Sequence, residues 1–281
     1  MSHHTALLML KAPLRKIWRP LKRVLNRLNR RPLHNRDWLA HLHALNRGSP
    51  VRVAYDVGAN RGQTLVEFLQ LMPEAVIHAF EPIPEVAGEL QKRLGGESRV
   101  RHYNLALDET EGERVFRVNA YSQTSSFLEG ARATADLEYM ALQRSITVQT
   151  TTVDRHRALH GIAELDVLKL DVQGSEAAVL RGAASSLPTT KAVYAEVSFG
   201  RFYEGQTEFA ELDVYMRQQG FWLFSLYHLS HASDGRLMSG DALWLNGRYY
   251  GEDSRPVEAW EHRLSKACRR APEHIAQKGS S

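Results

Sequence analysis

Residues 51–64 read VRVAYDVGANRGQT: a short apolar run, then an acid, then a loop of small residues opening into a helical pattern. The same punctuation recurs along the chain. Apolar runs AVIHAF (75–80), VRHYNLAL (100–107), DVLKL (166–170), AVYAEVSF (192–199), FWLFSLY (221–227) and DALWLN (241–246) alternate with helical patterns. These begin at Gly62, Pro84, beyond Gly174 and near Thr207. Strands separated by helices predict βαβ units with right-handed crossovers, hence a doubly wound, mainly parallel α/β sheet of the Rossmann-like kind. In such a sheet ligands bind beyond the carboxyl ends of the strands, where the strand order reverses. The chemistry is therefore expected just after each strand.

The loop after the first strand carries Gly58, Asn60 and Gly62 at i, i+2 and i+4, with Asp56 two residues ahead. Glycine accepts positive φ and lets a ligand approach the backbone, and asparagine is the next most tolerant residue. A dinucleotide fingerprint needs glycines at i, i+2 and i+5, so the spacing disfavours a nicotinamide cofactor. Taken alone the loop is equally a tight turn. The second strand ends at Glu81, 25 positions after Asp56, near where a doubly wound fold sets the carboxylate that reads a ribose. In LDVLKLDVQGSE (165–176) alternation puts Lys169 and Asp171 on one face. A central parallel strand is covered on both sides, so Lys169 needs a carboxylate, with Asp171 or Glu196 as the expected partner. Glu176 opens the next helix, where an acid also suits the helix dipole.

Length and charge frame this domain. The 281 residues, 43% hydrophobic and 24% charged, fit one core with attachments: a helical extension over 1–49, the main domain over 50–250 and a charged tail over 251–281. A single cysteine, Cys268, excludes an internal disulfide and a multi-cysteine zinc site, as a reducing cytoplasm would favour. No apolar run reaches the roughly 20 residues of a membrane span. From Met1 to Arg36 there are ten Lys or Arg and no acid. There Leu14, Ile17, Trp18, Leu21, Val24, Leu25 and Leu28 recur at helical spacing among cations, a basic amphipathic helix suited to an anionic membrane surface, an acidic partner or its own domain. A short helix is expected over Arg36–Leu45. Motifs that read nucleic acid are absent, so no nucleic-acid partner is expected. His41 and His43, or His228 and His231, lack a third ligand, and no metal is expected.

Together AYDVGANRGQT, HAFEPIPE, NLALDETEG, the SSF at 125–127, TTVD, LKLDVQGSEAAVLRGA, VYAEVSF and QTEFAEL followed by QQGF resemble the FkbM family of methyltransferases. The resemblance covers about Val51–Asn246, with Gln173 standing where the family commonly has Glu. It implies a class I methyltransferase fold with a seven-stranded sheet, S-adenosylmethionine as donor, and as acceptor a hydroxyl of a sugar, polysaccharide or secondary metabolite. It further implies that Asp56, Gly58, Asn60 and Gly62 enclose the methionine end of the donor. Glu81, followed by Pro82, binds the ribose; Asn104 and Ala106 border the adenine; Asp171 lies by the amino group or the transferred methyl. Asp171, Glu196 and His228, near strand ends, are the candidate bases. The long connection between Arg117 and Thr147 is expected to form a lid or acceptor pocket, offering Tyr121, Ser125, Ser126, Phe127 and Tyr139, with Glu176 as a further acceptor contact. A nicotinamide-dependent oxidoreductase and an inactive binding protein on the same fold are the alternatives.

Overall fold

The computed structural model describes residues 38–46, 50–134 and 137–251. The basic helix expected over 14–28 and the charged tail lie outside the described residues. Seven strands form the main sheet: β1 (Val53–Val57), β2 (Val76–Phe80), β3 (Val100–Tyr103), β7 (Leu165–Leu170), β8 (Thr190–Ser198), β9 (Phe221–His231) and β10 (Leu237–Asn246). Their order is β3-β2-β1-β7-β8-β10-β9. Only β10 runs antiparallel, against both β8 and β9. The chain winds outward from β1 to β3, then crosses to β7 and winds the other way, so the switch point lies between β1 and β7. This is the Rossmann-like class I methyltransferase arrangement.

Both faces of the sheet are covered, which explains why β7 (LDVLKL) is buried at every residue. Helices α1 (Trp38–Leu45), α2 (Gln63–Leu71) and α3 (Pro84–Leu94) bring Trp38, Leu39, Leu42, Leu65, Phe68 and Leu90 to one face. Helices α4 (Val153–His160), α5 (Glu176–Arg181) and α6 (Phe209–Gln218) bring Val153, Val179, Leu180, Leu212 and Met216 to the other. A last short helix, α7 (Gly247–Tyr250), follows β10. Helix α1 packs onto the domain: Trp38 stacks on Tyr194 at 3.9 Å between centroids, and Leu39 and Leu42 are fully buried.

Two expectations are revised. The run VRHYNLAL is two strands, because the Asn104 side chain donates to the carbonyls of Glu81 and Pro82 and turns the chain. Beyond the turn β4 (Ala106–Leu107) joins β5 (Gly112–Asn119) and β6 (Leu142–Thr151) in a second sheet of order β4-β6-β5. The insertion is thus a small sheet whose apolar side, Phe116, Val118 and Val148, packs with Ile83 and Val86. Among the described residues no helix is long and apolar enough to cross a membrane.

Candidate active site

The loops after β1, β2, β3 and β7 converge at the switch point around a cleft roofed by the second sheet. In the first loop Gly58, Asn60 and Gly62 have φ of 78°, 45° and 79°. The amides of Gly58 and Ala59 both donate to the Phe80 carbonyl, at 3.0 and 2.9 Å. Gly58 is also pressed against the next loop, where a Cβ would overlap the carbonyl oxygen of Asp171. Only glycine fits both the conformation and the space.

Glu81 is 4% exposed and lines the cleft. One carboxylate oxygen accepts from the Ile83 amide at 2.9 Å and the other from the Asn60 amide at 3.0 Å. Each oxygen keeps a lone pair, so the group is aimed and still able to accept two more donors. Burial pushes its carboxyl up to about 7, against the two backbone hydrogen bonds. Beside it Ala106, with Phe80, Ile83, Leu105, Phe116 and Phe127, makes an apolar wall. Pro82, Ser122, Gln123 and Ser125 also line the cleft. Asn104 is a fastener for the Glu81 and Pro82 carbonyls and does not itself line the cleft.

The other end is polar. Lys169 Nζ lies 2.8 Å from Asp56 and 3.7 Å from Asp171. Its expected partner is therefore corrected: alternation sets Lys169 and Asp171 on one face, but the register pairs Lys169 directly with Asp56 on β1. Burial opposes the charge on Lys169, yet Asp56 and then Asp171 outweigh it and hold the ammonium above its ordinary value. Burial likewise raises Asp56, with Lys169 opposing. Asp56 is fully buried beneath the loop and does not line the cleft. Its reach to a ligand runs through Lys169 and the loop.

Asp171 lines the cleft, and Gln173, at φ 56°, bridges it to Glu196 with amide contacts of 2.8 and 2.6 Å. Tyr203 donates to the other end of that amide at 2.9 Å. Burial, then Asp171, Glu176 and Asp241, raise Glu196 well above the usual carboxylate range. Two residues expected to meet an acceptor are turned into the protein. Glu176 accepts from the amides of Val172 and Gly174 and pins its own loop, while Ser126 Oγ donates to the Gln173 carbonyl at 2.7 Å. Neither lines the cleft, whereas Ser125 does. His228 also stands outside it, 2.7 Å from Asp241. Sequence reasoning missed Asp241, Tyr203 and the roof residues Ser122 and Gln123. Asp241 alone left a signal, as the acid at the head of the apolar run DALWLN.

A family model described as the methyltransferase FkbM domain matches residues 56–223. The 2-O-methyltransferase NoeI of Sinorhizobium fredii (strain NBRC 101917 / NGR234) is 28% identical over 164 residues, covering 56% of this chain and 68% of its own. Among solved structures, magnesium protoporphyrin IX methyltransferase (ChlM) from Synechocystis PCC 6803 is similar at TM-score 0.37 and 13% identity, over 74% of this chain and 76% of its own. Precorrin-6y C5,15-methyltransferase from Geobacter metallireducens GS-15 gives TM-score 0.39 and 10% identity, over 74% and 87%. The fold assignment rests on strand order and not on these remote likenesses. The family match, by contrast, begins at Asp56, takes in Glu81 and the whole Lys169–Glu176 segment, and spans more than half of the chain: the protein belongs to the FkbM-domain methyltransferases.

Proposed function

We propose that the chain transfers a methyl group from S-adenosylmethionine to a hydroxyl oxygen of a saccharide or similar polyhydroxylated small molecule. The observation that carries the donor assignment is Glu81. Its two oxygens, each steadied by one amide and each with a lone pair left, match the two vicinal hydroxyls of a ribose. The rest of the cleft fits the remaining parts. The apolar wall around Ala106 would take the adenine, the glycine-bearing loop would let the amino-acid end approach its backbone, and Asp171 would face the ammonium. Asn60 lines the cleft within that loop, while Asp56 and Gly62 shape the loop from behind. When bound, the donor supplies an electrophilic methyl on a sulfonium.

The acceptor would enter at the polar end, beside Asp171, with Ser125 on the roof. Oxygen as the receiving atom is supported by the 2-O-methyltransferase among the relatives. The hydroxyl must be aligned with the sulfur–methyl bond and must lose its proton, the first through proximity and the second through a base.

Calorimetry with S-adenosylhomocysteine and with NAD tests the donor reading. We expect the first to bind and the second not to, and Glu81→Ala to weaken the first by about 1.5–3 kcal/mol, the range for hydrogen bonds to a charged group. An unchanged affinity in a folded Glu81→Ala protein removes Glu81 from the site, and NAD binding in the cleft overturns the assignment.

A further inference from the structure

The polar network does not end at Glu196. Glu196 is paired in register with Asp241 on β10, and Asp241 with Tyr227 on β9. Just past that pair β9 carries one residue too many: the next matched pair is Ser230 with Ser239, so His228 and Leu229 together oppose Gly240. This is a β-bulge, a device that re-aims a side chain. At its first position stands His228 with φ 45°, where glycine is the easy choice. Gly240 opposite has no room for a side chain, since a Cβ there would press on Leu229 and the Tyr227 carbonyl. The bulge turns the imidazole inward along the sheet, to within 2.7 Å of Asp241 and 3.2 Å of the Tyr194 hydroxyl.

The hydrogen bonds fix the state of the ring. Asp241 Oδ2 accepts from the Tyr194 hydroxyl at 2.8 Å and from His228 Nδ1 at 2.7 Å. Tyr194 is itself held by the stacked Trp38 ring. A carboxylate only accepts, so Nδ1 must carry the hydrogen, and the neutral ring then keeps its lone pair on Nε2. The His228 side chain is 54% exposed, and its partners Tyr194 and Asp241 are the register neighbours of Lys169 and Glu196, at the carboxyl ends of the parallel strands. The two carboxylates nearer the cleft are worse placed to take a proton. Asp171 is tied to Lys169 and to the Gln173 amide, and Glu196 accepts from the same amide.

We propose that His228, oriented by Asp241, is the general base for methyl transfer, an inference that rests on the O-methyltransferase reading. As the acceptor oxygen forms its bond to the methyl carbon, its proton moves to Nε2. The sulfur–methyl bond breaks with its electron pair left on sulfur, and the products are a methyl ether, neutral S-adenosylhomocysteine and an imidazolium facing Asp241.

Two measurements on the full chain test this. Long-range ¹H–¹⁵N correlation spectra at about pH 9, where histidine rings are neutral, should show His228 as the Nδ1–H tautomer, with the preference lost in Asp241→Asn. An Nε2–H ring in the wild type overturns the proposal, because no lone pair would face the acceptor. Methyl transfer to a panel of methyl glycosides, read by mass, should fall about 10²–10⁴-fold in His228→Asn, with S-adenosylhomocysteine affinity unchanged. Asparagine tolerates the left-handed backbone, so the variant is expected to fold. Transfer at the wild-type rate overturns the base. If the wild type methylates none of the glycosides, it is the saccharide reading that fails, and the tautomer still decides whether Nε2 can serve.

Discussion

Replacing Gly58 by alanine separates two costs that usually arrive together. At φ 78° any L-residue meets a backbone penalty of about 1–2 kcal/mol. At Gly58 the new methyl would also overlap the carbonyl oxygen of Asp171, a backbone atom fixed by β7 and by the Asp171 amide's own bond to Val57 at 3.0 Å. Overpacking of this kind costs about a further 1–3 kcal/mol. Gly205, at φ 73° with nothing near its would-be Cβ, is the matched control. Gly205→Ala should therefore cost the backbone penalty alone and Gly58→Ala about 2–5 kcal/mol. In thermal unfolding of a domain this size each kcal/mol shifts the midpoint by about 2–4 °C. The two strands cannot part without opening the cleft, so donor affinity should fall in Gly58→Ala and hold in Gly205→Ala. Equal destabilisation in the two variants would refute the close approach of the β1 and β7 loops.

Three further expectations follow from the same groups. Glu81 is held near 7, above its unfolded value, so its contribution to stability is full below about pH 4.5 and is lost as pH rises through about 7; urea unfolding across that range should show a falling slope that Glu81→Gln flattens, while S-adenosylhomocysteine affinity rises with pH in the wild type. Lys169→Met strands Asp56 without its buried partner and should cost about 3–5 kcal/mol, whereas Asp56→Asn combined with Lys169→Met should recover much of it; additive losses would show the two are not coupled. Deleting residues 1–36 should leave donor affinity intact and abolish co-sedimentation with anionic vesicles, as should high salt, because each cation near such a surface contributes about 1 kcal/mol. A full-length protein that ignores anionic vesicles at low salt ends the membrane reading.

The fold was legible because its signals are local. The central parallel strands β1, β2 and β7 are apolar runs that end where glycine or an acid takes over, as in AYDVGAN and HAFEP. The second sheet was not legible. Strands β5 and β6 carry arginines and exposed residues through GERVFRVN and LQRSITVQTT, and their only buried apolar residues are Phe116, Val118 and Val148, too few for an alternation to stand out. Helix α1 was visible as a helix, but its packing on Tyr194 was not, since periodicity shows that a face is apolar but not what it packs against.

The site divides in the same way. Residues that act through their own loop, such as Gly58, Asn60 and Glu81, are found by position relative to a strand end. Residues that act through a partner need the register. Lys169 is one strand from Asp56 and two positions from Asp171 along its own, and the sequence offers only the second relation. Glu176 reads as a free carboxylate at a helix start until Val172 and Gly174 are seen to occupy it. Asp241 and His228 lie 13 residues apart on an antiparallel pair, and it is the extra residue in β9 that brings them together. A regular hairpin would pair Gly240 with His228 and leave Leu229 facing Ser239. The inserted position is thus what converts two ordinary strand residues into an oriented acid–histidine pair, and no spacing rule applied to a single strand would have revealed it.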